Sequence, residues 1–448
     1  MELKQPHRYS PLSHFNQSVV NKRGVPVPGL VIEGSGNRIW RRCYTNFRRC
    51  PGTNQTFKRN GTTEMSNDYR LTVYESITGI DRDRYNGIID RGNPFLEYEF
   101  LEALEKSGCV GRHTSWNPRH IVLYDAQRII GAVTAYIKSD SYGEYIFDWE
   151  WARAFENARL RYYPKLVAAI PFTPATGTRI SVHPDYPFEE CAGLMVDRLI
   201  ELSAEVGCSS LHFLYLTDEE RIFLERKGFL SRITHQYHWK NRGYNSFEDF
   251  LSDIRSGRKK QIRKERRSLE DEGLDIRIIE KDAINSGHMD AIWEFYTDTH
   301  SRKWGSAYLN RKFFDLLFEN FRSRLVLVMA DNGKSWAGGT FNVVKNNRLF
   351  GRYWGTVHNY RNLHFECCFY RLIDYSIRNG IDIFEAGAQG EHKFLRGFAA
   401  VPTYSSHLIM HEGARSAIGK YLKRERAYTE GLIAHYNKQS PLKYLHGE

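Results

Sequence analysis

Within the 448-residue chain, the segment 385–393 (EAGAQGEHK) gathers polar groups suited to moving an acyl group onto an amine. Such a transfer needs a base for the amine's proton, donors for the tetrahedral oxyanion, and a grip that keeps the acyl donor in line. Glu391 or His392 is the candidate base, while Gln389, Gly390 and Lys393 are candidate contacts to the acyl or phosphate group. Gly387 and Gly390 allow close backbone approach. The plainer alternative is a helix-opening turn in which Glu391 merely faces the dipole and Lys393 is solvated. Glu366 is a second candidate catalytic carboxylate, with an N-terminal helix cap as its structural alternative.

Aromatic residues and charge surround this segment. Arg352, Tyr353 and Trp354 lie on the strand expected to face it, with His364 close in sequence and Trp304 and Tyr308 in the helical region before the sheet. They are candidate substrate contacts or core aromatics. In the first half, Tyr142 and Glu144, with Asp148 and Trp149, form another polar and aromatic cluster, suited to a ligand between domains or to pinning a long loop. A basic run at about 251–272 includes Arg258, Lys259, Lys260, Arg263 and Lys264, a candidate nucleic-acid or phosphate contact or a solvated helix face. It lacks interleaved aromatics for base stacking. The histidines lack zinc spacing, so no metal is expected. Neither a phosphate-binding G-x-x-x-x-G-K-S/T loop nor a G-x-S-x-G elbow occurs.

The elements that must position these residues follow from periodicity. In the first half, a helix capped by Asn93 is expected, then strands at 120–124, 129–137 and 165–172, a helix at 189–206, strand 211–216, helix 218–227 and strand 233–239. The second half repeats this order, with helices at 289–302 and 312–320, and strands at 325–330, 338–344 and 349–355. Helix 366–378, strand 381–385, helix 391–395 and strand 403–410 follow. Leu199, Ile200, Ser203 and Gly207 recur in spacing as Leu372, Ile373, Ser376 and Gly380; Gly228, Phe229 and His238 recur as Gly397, Phe398 and His407. Two matches within one element order point to an internal duplication. Each half reads as antiparallel strands followed by a strand–helix–strand crossover, which forces one parallel pair into a mixed sheet. A helix N-terminus beside splayed strand ends then offers a seat for a pyrophosphate.

The totals bound the rest. Residues 1–64 hold eleven Lys/Arg and three Asp/Glu, so +8 of the net charge of +11 lies in that leader. It reads as disordered and basic, with an organelle transit peptide as the alternative. No apolar run reaches the roughly 18 residues of a membrane span. Seven unpatterned cysteines, two adjacent at 367 and 368, suit a reducing compartment.

Four strings carry a resemblance: SYGEY (141–145), YYPK (162–165), PFTPATG (171–177) and GAQGEHK (387–393). With the element order, they resemble the GNAT acyltransferase superfamily and its FemAB-like branch of peptidoglycan-bridge aminoacyltransferases, over roughly residues 93–408. They are most similar to FemAB-like proteins labelled as peptidoglycan biosynthesis or recognition proteins. The resemblance implies two tandem GNAT-like α/β modules, 66–242 and 243–430, with a tail at 431–448. It implies an N-acyltransferase or aminoacyltransferase acting on an amine, cytoplasmic or, with a transit peptide, organellar. The alternative is a non-catalytic protein recognising cell-wall peptide or another amine-bearing ligand. No cofactor is expected to be bound, and the donor is acyl-CoA or aminoacyl-tRNA. The run 361–364 lacks the GNAT pyrophosphate loop, which tilts the expectation from CoA toward tRNA.

Overall fold

The computed structural model describes residues 55–57, 69–89, 92–303, 307–358, 360–387 and 390–446. Its strands are Gln55–Phe57 (β1), Tyr69–Tyr74 (β2), Trp116–Pro118 (β3), His120–Asp125 (β4), Arg128–Val133 (β5), Ala135–Lys138 (β6), Lys165–Ala168 (β7) and Ile180–Val182 (β8). They continue as Ser210–Leu216 (β9), Leu230–Lys240 (β10), Asp275–Glu280 (β11), Leu325–Asp331 (β12), Trp336–Lys345 (β13), Arg348–Thr356 (β14), Ile383–Glu385 (β15) and Ala399–Ile409 (β16). A five-stranded sheet is ordered β1–β2–β4–β5–β8. An eleven-stranded sheet is ordered β11–β12–β13–β14–β15–β10–β16–β9–β7–β6–β3. The fold is thus mixed α/β, with mostly antiparallel sheets flanked by helices, as expected.

Burial on both faces explains the unbroken apolar strands. In β12, Leu325, Leu327 and Met329 join a core with Phe313 and Phe314 of the helix Arg311–Asn320. The alternate residues Val326, Val328 and Ala330 join another core with Cys367, Phe369 and Tyr370. Side chains alternate with period two, so a strand sandwiched between helices must be apolar at every position.

Two parallel pairs, β7–β9 and β14–β15, interrupt the antiparallel pattern. Each needs a crossover helix. In the first half it is Phe188–Val206, ending at Gly207 with φ +75°. In the second it runs through Leu363–Phe365, a π turn Glu366–Tyr370 and Arg371–Arg378, with Gly380 at φ +63° soon after. Left-handed backbone explains a glycine at both stops. The matched serines also behave alike: Ser203 Oγ donates to the Leu199 carbonyl and Ser376 Oγ to that of Leu372.

The terminal strands cross between the halves. β10 pairs with β15 of the second half, and β16 pairs with β9 of the first, while β10 and β16 pair antiparallel with each other. Their register sets Leu230 against His407, Thr234 against Thr403 and His238 against Ala399. At the centre, the hydroxyls of Thr234 and Thr403 hydrogen-bond at 2.7 Å.

Several local expectations change in three dimensions. The strand expected at 129–137 breaks at buried Thr134, and its parts, β5 and β6, enter different sheets. The Asn93-capped helix is a single 3-10 turn, Pro94–Leu96, before the helix Tyr98–Lys106. The strand from 165 stops at Ala168, because 171–177 leaves the sheet to reach the second half. Periodicity missed the helix Glu412–Gln439, which lies along β10 and β16 and runs past residue 430. Of residues 1–64, only β1 is described, and the expected disorder of the rest lies outside the described residues. Among those described, no helix is long and apolar enough to cross a membrane.

Candidate active site

The site opens where β14 and β15 part. They pair only at Arg348–Ile383, Leu349–Phe384 and Phe350–Glu385. Beyond that point the register between β13 and β14 shifts: Phe341 faces Tyr353 and Asn342 faces Gly351, leaving Arg352 as the extra residue of a bulge. A bulge bends its strand and re-aims a side chain. Here the Arg352 guanidinium bonds the carbonyl of Phe172 and approaches Thr173 Oγ1 at 3.4 Å, both in the segment 171–177 of the first half. That segment is fastened at two more points. The Thr176 amide donates to Glu385 (3.2 Å), and Phe172 stacks on Tyr308 with ring centroids 5.3 Å apart.

The cleft has two connected chambers. The inner one, about 380 Å³, is lined by Arg352, Tyr353, Trp354 and His364 on one side and by Gly390, His392 and Lys393 on the other. Asn342 and Cys368 complete its wall. The outer one, about 270 Å³, shares Arg352, Tyr353, Trp354 and His364 and adds Tyr142, Tyr308 and Trp149. A groove of about 410 Å³ at Arg84, Arg128 and His183 is more open and lies away from these residues. Its Arg128 is already engaged by Asp185 (3.1 Å) and His183 (2.7 Å), so its size does not make it the better site.

Lys393 is the unusual group of the inner chamber. It belongs to the 3-10 turn Glu391–Arg396, entered from Gly390 at φ +110°. Its side chain is only 4 % exposed, and Nζ donates to the Gly387 carbonyl at 2.8 Å. Burial disfavours the ammonium and brings its pKa down to about 7. The ring of His392 lies 5.4 Å from His364 and 5.7 Å from Phe369, forming an aromatic wall beside the amine. Cys368 reaches the chamber from the π turn, where one extra residue rotates the helix face.

Other expected residues lie elsewhere. Glu366 does not line the cleft. It is buried at the start of the π turn, held by Arg266 (3.1 Å) and Arg371 (3.0 Å), and its carboxylate is committed to these guanidinium groups. Glu144 also faces away from the cleft. Its carboxylate meets Lys165 Nζ at 2.9 Å, and burial raises its pKa to about 7 against the pull of that lysine. Trp304 and Gln389 lie outside the described residues, as does the side chain of Glu391.

The basic run forms the helix Ser256–Glu270. Ile262, Glu265, Arg266 and Leu269 face inward, and Glu265 binds Arg396 of the Lys393 turn at 3.0 Å. Lys260, Arg263, Lys264 and Arg267 repeat the same i, i+3, i+4, i+7 spacing on the exposed side, with Arg258 and Lys259 half-buried near its start. Arg263 reaches Glu248. Among the described residues, no cluster of three or more His, Cys, Asp or Glu is placed to hold a metal.

Sequence reasoning missed Asn342 and Cys368 as cleft residues. The string 171–177 carries the family resemblance, and nothing in it marks a place at the site. The only available signal for that role was the string itself, because the contact to Arg352 spans 180 residues.

A family model described as peptidoglycan biosynthesis/recognition matches residues 76–444. The chain belongs to the FemAB-like family. The family supports an enzyme of acyltransferase type. The match extends beyond the 93–408 expected from the strings. No curated protein matches this FemAB-like chain. Among solved structures, it is similar to FemX at 10 % identity, covering 72 % of this chain and 93 % of that one, with TM-score 0.46. The C-terminal domain of a putative lysylphosphatidylglycerol synthetase from Agrobacterium fabrum has 10 % identity, coverage of 78 % and 97 %, and TM-score 0.48. A tandem GNAT protein from the clavulanic acid biosynthesis pathway has 11 % identity, coverage of 76 % and 98 %, and TM-score 0.40.

Proposed function

We propose that this FemAB-like chain transfers an aminoacyl group to an amine acceptor at the parting of β14 and β15, with Lys393 as the base. One observation carries the reading: a buried lysine lines the inner chamber with its Nζ on the Gly387 carbonyl at 2.8 Å, where burial lowers its pKa to about 7. Its neutral amine takes a proton from the acceptor as the acceptor nitrogen attacks the acyl carbonyl. The new C–N bond forms, the ester C–O bond breaks, and the leaving oxygen receives the proton. His364 and His392 wall the reacting group, Gly390 holds the acyl part, and Arg352 fixes the first-half segment that closes the cleft. Tyr353 and Trp354 line the approach.

The basic helix supports tRNA over CoA as the carrier. Arg266–Glu366 and Glu265–Arg396 fasten it to the walls of the cleft, while Lys260, Arg263, Lys264 and Arg267 face solvent in one stripe. A phosphate backbone on that stripe would lie next to the site. Such a donor goes with a cytoplasmic reaction. The same reading takes the halves, about 66–242 and 243–430, as copies of one unit with exchanged terminal strands. Their matched strings and the Thr234–Thr403 register support it.

Aminoacyl transfer from charged tRNA to an amine, followed across pH, tests the mechanism. The rate should rise through pH 7 as Lys393 loses its proton, and Lys393→Met should lower it at least about 100-fold without loss of tRNA binding. A rate that falls through pH 7 would instead assign the charged ammonium to the acyl carbonyl. Charge reversal at Lys260 and Lys264 should weaken tRNA binding and make it less salt-dependent; unchanged affinity would remove the stripe from the donor site.

A further inference from the structure

Among the described residues, the inner chamber is lined wholly by the second half, whereas the outer one also takes Ser141, Tyr142, Gly143, Tyr145, Phe147 and Trp149 from one first-half segment. The outer lining combines ring faces with phenol hydroxyls, imidazoles and the Arg352 guanidinium. Hydrogen bonds from such groups are directional, so what this chamber recognises depends on where the segment 140–149 stands. Two fully buried lysines fix it from behind. Lys138 Nζ donates to the Tyr142 carbonyl (2.9 Å) and to Asp140 (3.0 Å). Lys165 Nζ donates to Ser141 Oγ and Glu144 (2.9 Å each) and to Asp148. In front, the Phe172 amide donates to the Gly143 carbonyl (3.1 Å), which ties the segment to 171–177 and so to Arg352.

The backbone here is held in an unfavourable conformation. Tyr145 (φ +60°) and Phe172 (φ +57°) are both left-handed, a conformation that bulky residues keep only where their surroundings impose it. Three of the strings that carry the family resemblance, 141–145, 162–165 and 171–177, meet at this cluster, with Tyr163 bonded to Ser141 (2.8 Å). Neither lysine lines a chamber, and Lys165 is the opposite of Lys393: burial opposes its charge, but Asp148 and Glu144 overcome burial and raise its pKa. A lysine kept charged and away from the cavity holds structure and takes no proton from substrate. The basic helix is fastened on the inner chamber's side, through Glu366 and Arg396, which leaves the outer chamber as the amine's way in. We infer that Lys138 and Lys165 are positioning residues for the amine acceptor, fixing segment 140–149 as the wall along which it reaches Lys393. Assigning that wall to the acceptor rests on the proposed transfer; the fixing of the segment does not.

Two measurements on the full chain test this: steady-state transfer from charged tRNA to lysinamide, and acrylamide quenching of Trp149. The Trp149 signal is the difference between each protein and its Trp149→Phe counterpart. Lys165→Met should raise the KM for lysinamide at least about tenfold and the Trp149 quenching about twofold, with kcat and the KM for charged tRNA within about twofold of wild type. Gly143→Ala reaches the same place without emptying a buried ion pair, and carries the test if the lysine variant fails to fold. An added Cβ would meet the Phe172 ring at 2.6 Å, so it should push the segment away and give the same pattern. Unchanged lysinamide KM and quenching in the folded variants would overturn the inference. So would equal losses in both KM values and kcat, the sign of a general structural role. If wild type transfers nothing but the variants still free Trp149, the transfer reading fails alone; if transfer proceeds and Trp149 is not freed, the positioning role fails alone.

Discussion

The two halves part their parallel strands in the same way and fill the gap differently. In the first half, β7 and β9 separate after Ala168 and Phe213, and Arg179 occupies the gap. It is 1 % exposed and donates to the carbonyls of Leu214 (2.8 Å), Gly177 (3.0 Å), Thr178 (3.0 Å) and Ala175 (2.6 Å). In the second half, β14 and β15 separate after Phe350 and Glu385, and the gap is a chamber containing one amine bonded to one carbonyl. The first crossover helix is regular, while the second contains a π turn that brings Cys368 to the cavity. A guanidinium bonded to four carbonyls closes its junction. A lysine with a single partner leaves space for substrate and, once buried, loses its proton near neutrality.

The largest effect should come from emptying the closed junction. Arg179→Met leaves four carbonyls without their donor and should cost on the order of 4 kcal/mol, measured by urea unfolding. A loss below about 1 kcal/mol would mean that water replaces the guanidinium and that the first junction is less closed than its bonding implies. Next, Lys393→Arg gives the open junction a side chain like that of the closed one. Arginine stays charged throughout the working range, so the rate should fall about 100-fold and lose its rise through pH 7, and the melting temperature should drop because the buried site disfavours a charge. Retained activity with an unchanged pH profile would remove the lysine from proton transfer.

A smaller effect concerns the seam between the halves. His212 and His407 face each other on β9 and β16 with their Nδ1 atoms 2.5 Å apart, and both are buried. Burial lowers both, His212 to about 3. The unfolded chain therefore binds protons below about 6.5 that the folded chain excludes, so this contribution is complete above 6.5 and is lost as pH falls toward the folded value. Relative to His212→Gln/His407→Gln, wild type should lose up to about 1.4 kcal/mol per pH unit for each histidine below 6.5. Parallel stability curves for the two proteins would show that the pair is not kept neutral by the fold. The smallest expected change is at the centre of the seam, where Thr234→Val should cost about 1 kcal/mol through its lost hydroxyl contact to Thr403. If that substitution raised stability, the contact would be incidental to the pairing.

Much of this arrangement was legible locally. The segment 385–393, the aromatic run 352–354 and the paired crossovers follow from residue type and spacing, because neighbours in sequence share a turn or a strand. Glu366 was misread for a reason of the same kind. Its neighbours suggest a catalytic carboxylate or a cap, and its true partner, Arg266, comes from a helix 100 residues earlier. The division of 129–137 between two sheets was equally hidden, since both parts carry apolar residues and no glycine or proline marks Thr134 as the break.

By itself, the sequence determined the alternation of strands and helices, the mixed sheet class, the family and the position of the segment that carries Lys393. These depend on periodicity, turn chemistry and contiguous strings, all properties of short stretches of chain. Only the tertiary structure decided that β10 pairs with β15 and β16 with β9, that 171–177 closes the second half's cleft, and that the Lys393 amine is buried beside the Gly387 carbonyl. Each of these joins residues far apart in the chain, and the low pKa of the lysine comes from the desolvation that this joining imposes.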